Sequence, residues 1–124
     1  MMTSKKIIIW GRAFELEVKY DCYAGEEVLE TQKETVALFN DDNITEESLD
    51  EVKKYCLSLN SEEIEQPIEN IFKYVAPKYL FVPRDNEKKI IAIMCNYRFD
   101  MDNGIAVVFE DGELSEIGSQ NIIL

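Results

Sequence analysis

Carboxylates are the residues whose number and spacing could do chemistry in this chain. It carries 25 Asp and Glu against 13 Lys and Arg, a net charge of −12 over 124 residues. The acids are unevenly placed. Residues 21–70 hold fifteen of them against three lysines (Lys33, Lys53, Lys54), while residues 1–20 balance at +2 and residues 71–124 at −2. Concentrated carboxylate can hold a cation, move a proton, or imitate a phosphate backbone before a basic partner. It can also simply keep a small protein soluble. Within this stretch Glu46/Asp50 and Glu47/Glu51 are like charges four residues apart. On a helix each such pair costs about 0.2–0.5 kcal/mol. Lys54 lies within helical reach of Asp50 and Glu51, but Glu46 and Glu47 have no lysine three or four residues on. Helix stability alone does not favour that arrangement.

Other catalytic chemistries are poorly provided for. There is no histidine, which removes the commonest general base and the commonest metal ligand. The three cysteines (Cys22, Cys56, Cys95) form no Cys-x-x-Cys pair, and the five glycines are isolated rather than gathered in a phosphate-binding loop. No catalytic residue, cofactor or metal is therefore expected. The segment Asp100-Met101-Asp102-Asn103-Gly104 resembles the start of a calcium loop, but the register fails. Counted from Asp100, glycine stands at position 5, Ile105 at 6 and Asp111 at 12, where an EF-hand needs Gly at 6 and Glu at 12. A polar turn between strands, with Asn103-Gly104 at positive φ, is the expected alternative.

The elements that must position the acids follow from hydrophobic period. Residues 5–10 carry an apolar run ending in Trp10, expected in or at the edge of the core. After Gly11, residues 12–20 alternate: Phe14, Leu16, Val18 and Tyr20 on one side, Glu15, Glu17 and Lys19 on the other. Both read as strands, followed by a turn over 21–25. The period then lengthens. Leu29, Gln32, Val36 and Phe39 predict a helix over 27–39, the cluster 40–43 breaks it, and Leu49, Val52, Cys56 and Leu59 predict a second over 46–59. Thr45 is the expected N-cap, with Glu46, Glu47 and Asp50 at the positive end of the helix dipole. Weaker helical turns are expected at 61–63 and 68–74. The aromatic and basic residues Phe72, Lys73, Tyr74, Lys78, Tyr79 and Phe81 read as a helix-to-strand core with snorkelling lysines. Strands are predicted again at 78–82, 88–99, 104–109 and 113–117, the last two joined by Asp111-Gly112, with a short one at 122–124.

The result is a single α+β domain over 1–124: a mostly antiparallel sheet, made of an N-terminal strand pair and a C-terminal meander. Two to three helices from the middle segment pack on one face. The longest apolar run, residues 90–95, falls far short of the roughly 20 residues that cross a bilayer. Three widely spaced cysteines read as reduced thiols, and a cytoplasmic location is expected. The acidity argues against nucleic acid or an anionic membrane as partner.

Residues 95–100 (CNYRFD), 104–109 (GIAVVF), Asp111-Gly112 and 117–120 (IGSQ) resemble a family of small, acidic, uncharacterised bacterial proteins, a domain of unknown function. Residues 70–79 (NIFKYVAPKY) and Trp10-Gly11-Arg12 with Phe14 resemble it too. Such proteins look similar to the immunity proteins of bacterial toxin systems, which implies inhibition by binding. The resemblance supplies no catalytic residues. The expectation is a non-catalytic binding protein, an antitoxin whose acidic helical surface meets a basic protein such as a nuclease. The partner-binding residues would be Asp41, Asp42, Glu46, Glu47, Asp50 and Glu51, with Glu62, Glu63 and Glu65 behind them. The alternative is a structural or oligomerising domain, a homodimer through exposed strand edges, whose acidity only provides solubility.

Overall fold

The computed structural model describes residues 3–22, 25–85 and 87–124. Six strands form one sheet in sequence order: β1 (Thr3–Ile9), β2 (Arg12–Tyr20), β3 (Val75–Val82), β4 (Ile90–Tyr97), β5 (Asp100–Glu110) and β6 (Glu113–Gly118). The N-terminal pair and the C-terminal meander are thus one sheet. They join where β2 runs parallel to β3, from Glu17 opposite Tyr79 to Tyr20 opposite Val82. All other neighbours are antiparallel. A parallel pair needs a long crossover, and the acidic middle of the chain supplies it. Helices α1 (Glu30–Leu38) and α2 (Glu46–Asn60) carry most of that crossover, with 3₁₀ turns at Asp41–Asn43 and Ile71–Lys73.

The two helices cover one sheet face. Val52 and Cys56 of α2, with Phe39, Ile44, Ile64 and Ile68, are buried against Ile7, Ile9, Leu16, Val18, Leu80, Ile91, Ile93, Tyr97, Ile105, Val107 and Phe109. The opposite parity of the central strands forms a second, smaller cluster of Ala92, Met94, Ala106 and Val108. It is covered by Tyr79, Phe81, Ile90 and Ile123. Strand β4 is therefore buried on both faces, as its double apolar pattern predicts.

The sheet curls strongly. In a flat sheet the first strand lies about 19–24 Å from the fifth and sixth. Here the single turn Asp41–Asn43 reaches both: Asp41 Oδ1 accepts the Ile8 N–H at 2.8 Å, and Asn43 Nδ2 donates to the Gly112 carbonyl at 3.0 Å. A three-residue 3₁₀ turn rises only about 6 Å, so opposite corners of the sheet must bend toward each other around α2.

Several predicted boundaries shift for physical reasons. Helix α1 begins at Glu30 rather than 27, because Arg84 holds the preceding segment extended, bonding the Glu27 carbonyl at 3.0 Å and the Glu26 carboxylate at 2.8 Å. Strand β3 starts at Val75 and runs through Pro77, with its ladder broken between Pro77 and Tyr79, since proline donates no hydrogen bond. The expected strand over 88–99 is interrupted by the two-residue turn Arg98-Phe99, so residues 100–103 belong to β5 instead of a polar turn. Residues 61–63 form a turn without a helix, and the helix expected at 68–74 shortens to Ile71–Lys73. The last residues make a 3₁₀ turn at Gln120–Ile122 in place of a strand. Of the expected turn over 21–25, residues 23 and 24 lie outside the described residues.

Candidate functional site

The nine carboxylates picked out in the sequence occupy three places. Asp41 and Asp42 sit in the 3₁₀ turn beside β1, where Asp41 is engaged as the acceptor for the Ile8 N–H and so caps an edge strand. Glu46, Glu47, Asp50 and Glu51 lie on the first two turns of α2. Thr45 stands at the N-cap without a side-chain bond; the buried Ser48 hydroxyl donates back to its carbonyl at 2.9 Å. Glu62, Glu63 and Glu65 follow α2 on the exposed chain. Glu65 pairs with Lys73 at 3.1 Å, and that hydrogen bond holds its carboxyl below the usual range.

Helix geometry divides the α2 acids further. Glu47 and Glu51 line a groove of about 490 Å³ shared with Tyr55 and with Leu114, Ser115, Glu116 and Ile117 of β6. Four consecutive strand residues can line one cavity only if it runs along the strand's edge, because successive side chains alternate faces. Glu46 and Asp50 do not line it. Its one cation, Lys54, is 3.2 Å from Glu51. The groove thus gathers three carboxylates and one committed lysine. Glu116, its third acid, was not among the sequence candidates: it belongs to the final hairpin, 65 residues beyond Glu51, and the folded sheet brings it there. Beside the groove, β6 is the last strand of the sheet. Among the described residues its main chain makes no hydrogen bond beyond the β5 ladder. The β5–β6 ladder itself carries a bulge between Val108 and Phe109.

The opposite flank of α2 meets a different arrangement. The β1–β2 turn has Trp10 at φ 49° and Gly11 at 86°, nearly the backbone of the β5–β6 turn, with Asp111 at 51° and Gly112 at 87°. Asp-Gly suits such a turn. A tryptophan at positive φ is strained, by roughly 1–3 kcal/mol. Trp10 is therefore a turn residue outside the strand, half-buried against the core. Its indole N–H donates to Ser48 Oγ at 3.1 Å, and its ring lies 6.0 Å from that of Phe72. Phe14 approaches Phe72 from another side at 5.7 Å, and the Arg12 guanidinium stands over the Phe72 ring at 4.2 Å.

Residues 3–124 match the family described as Domain of unknown function (DUF6985). The chain belongs to this family. No curated protein and no solved structure matches it. The stretches of this DUF6985 chain that carried the resemblance meet in space at two points. Trp10, Arg12 and Phe14 converge on Phe72, as above. Gly104 lies against Gln120, whose Nε2 donates to the Cys95 carbonyl at 2.9 Å. A Cβ on Gly104 would stand 2.5 Å from that carbonyl and 2.6 Å from Gln120 Nε2, so glycine lets the C-terminal turn dock on the sheet.

The thiols of this DUF6985 chain fall into two environments. Cys56 and Cys95 are buried and Cys22 is half-exposed. Burial pushes the Cys56 thiol up to about 11, against a partly offsetting hydrogen bond from Tyr97. Burial also raises Cys95 and Tyr97. Such thiols are poor nucleophiles. Cys22 lies 3.7 Å from Arg84. Among the described residues no cluster of three or more Cys, Asp or Glu side chains is arranged to hold a metal ion.

Proposed function

We propose that this chain is a non-catalytic binding protein that acts in the bacterial cytoplasm as an immunity protein, inhibiting a basic toxin such as a nuclease by covering its active cleft. One observation carries the reading: Glu47 and Glu51 of α2 share a groove with Glu116 of β6, and the only lysine there is already tied to Glu51. Glu47 and Glu51 are like charges one helical turn apart, which costs a helix about 0.2–0.5 kcal/mol, and Glu116 adds a third carboxylate to the same groove. A partner's arginines and lysines would relieve that repulsion. The whole-chain charge of −12 would steer such a partner from a distance and raise its association rate, an effect that salt screens. Steric occlusion requires no catalytic group. Asp42, Glu46, Asp50, Glu62 and Glu63 supply the surrounding field, while Asp41 and Glu65 are held by internal partners.

The test pairs the chain with the toxin domain encoded beside its gene and measures association rate against ionic strength. The rate should fall steeply with salt. Joint reversal of Glu47, Glu51 and Glu116 to lysine should slow association by about tenfold or more without unfolding the protein, whereas reversal of Glu46 and Asp50 should act less. An association rate indifferent both to salt and to these substitutions would remove the reading.

A second reading, an oligomerising domain whose acids only keep it soluble, is favoured by the unpaired outer edge of β6. Light scattering separates the two: an obligate dimer of the purified chain would favour the second.

A further inference from the structure

We infer that the cleft between the β1–β2 turn and the 3₁₀ turn Ile71–Lys73 receives a compact oxyanion, a carboxylate or phosphate group, gripped by the Arg12 fork with Lys53 beside it. The cleft holds about 290 Å³ and is lined by Trp10, Gly11, Arg12, Lys53, Asn70 and Phe72, among others. Leu49 and Lys53 of α2 face it, whereas Glu47, Glu51 and Tyr55 face the acidic groove. Residues two apart on a helix point about 160° from each other, so the two sites lie on opposite flanks of α2 and can be tested separately.

Two features make Arg12 a receptor. The first is that no protein group takes the donors of this exposed side chain. Among the described residues its guanidinium has no carboxylate and no hydrogen-bond acceptor, only the Phe72 ring at 4.2 Å. Arg84 shows the contrast: its guanidinium is engaged by Glu26 at 2.8 Å and by the Glu27 carbonyl at 3.0 Å. An arginine seated on a ring face keeps its in-plane N–H groups free for bidentate binding of a planar or tetrahedral oxyanion. Lys53 has no ion-pair partner among the described residues either. Lys5, Lys6, Lys19, Lys78 and Arg98 also lack an ion pair among the described residues; what sets Arg12 and Lys53 apart is that both line one cleft, with Arg12 seated on the Phe72 ring.

The second feature is that the platform is built at a cost. Phe72 is fixed by Trp10 and Phe14 on its ring and by Asn70 Oδ1, which accepts its N–H at 3.1 Å. Trp10 is in turn pinned to Ser48 in a left-handed conformation that the equivalent Asp111-Gly112 turn achieves with an ordinary turn residue. Strain retained where a simpler residue would serve marks a preorganised site. Glu69 also lines the cleft, and its charge favours a singly charged group over a dianion.

The chain's single tryptophan lies in the cleft and reports on it. Trp10 fluorescence and its indole N–H resonance would be followed while sodium acetate or inorganic phosphate is added at constant ionic strength, with chloride as the control. A saturable change at millimolar anion is expected. Arg12→Gln should weaken it by about tenfold or more, Arg12→Lys by less, and Phe72→Leu should weaken it by freeing the guanidinium. The melting temperature of Arg12→Gln should fall by no more than a few degrees, the loss of one exposed cation–π contact, so the variant stays folded under the titration conditions. Saturation with acetate alone identifies a carboxylate ligand, with phosphate alone a phosphate group, and either supports the site. No saturable response to either anion, or an equal response in Arg12→Gln, overturns it.

Discussion

Gln32 is only 1% exposed, yet every polar atom of its side chain is used. Its Oε1 accepts the Leu29 N–H at 2.9 Å, and its Nε2 donates at 3.1 Å to both the Asp21 and Val82 carbonyls. One side chain thereby ties the start of α1 to the ends of the parallel pair β2 and β3. Replacing it by leucine keeps the volume but strands a buried N–H and weakens two carbonyls. The expected cost is about 1–3 kcal/mol, read as a lower midpoint in urea; an unchanged midpoint would mean water replaces the amide. Gly104→Ala belongs to the same scale. The added Cβ meets backbone at 2.5 Å, and φ is +58°, so the loss should exceed the roughly 1 kcal/mol of an ordinary glycine effect. The sequence placed Gln32 correctly on the inward stripe of a helix. It could not reveal the bonding, because two of the three partners lie eleven and fifty residues away. Gly104 likewise read as a turn glycine, whereas its role is close approach to Gln120.

At the scale of elements, local patterning made the strands and both helices legible, and non-local pairing was hidden. Nothing in the alternation of β2 or β3 announces that they run side by side. The pattern predicts that helices from the acidic middle pack on one face, but not that this segment is the crossover joining the parallel strands β2 and β3. The same gap hides Glu116 from the sequence, along with the Ile8 N–H bond that engages Asp41, expected there as a partner-binding residue. Asp41 protects the edge of β1, where Ile8 is 45% exposed and Lys5 and Lys6 add charge. Asp41→Ala should cost only about 0.5–1.5 kcal/mol, since water can satisfy the freed N–H. Its larger effect should be self-association through the uncovered edge. Light scattering across a concentration series would show growth in the variant alone, and a monomeric variant at every concentration would assign the bond to local geometry only.

For the whole molecule, charge and buried thiols set opposite ends of the pH response. Near neutrality the excess of acids repels itself, so added salt should raise the melting temperature by screening. On the alkaline side the controlling groups are neutral acids inside the core. Burial raises Cys56 from 9.0 to about 11 and raises Cys95 and Tyr97 as well, with Glu63 adding to the effect on Tyr97. A raised thiol or phenol keeps its proton longer in the folded state than in the unfolded chain. The unfolded chain therefore binds fewer protons above its own thiol value, and stability falls as pH rises. That contribution is intact below pH 9.0, where the unfolded thiols are protonated, and for Cys56 it is lost progressively up to about 11. Denaturant midpoints taken at stepped pH should stay level through neutrality and then decline above about 9. Cys56→Ala would lower the plateau by leaving a cavity, but it should flatten the decline. A variant whose alkaline slope equals that of the parent would assign the decline to the other groups that burial raises, Cys95, Tyr97, Tyr55 and Tyr20. Thiol labelling supplies the structural control: Cys22, half-exposed, should react in the folded protein, and Cys56 and Cys95 only once it opens.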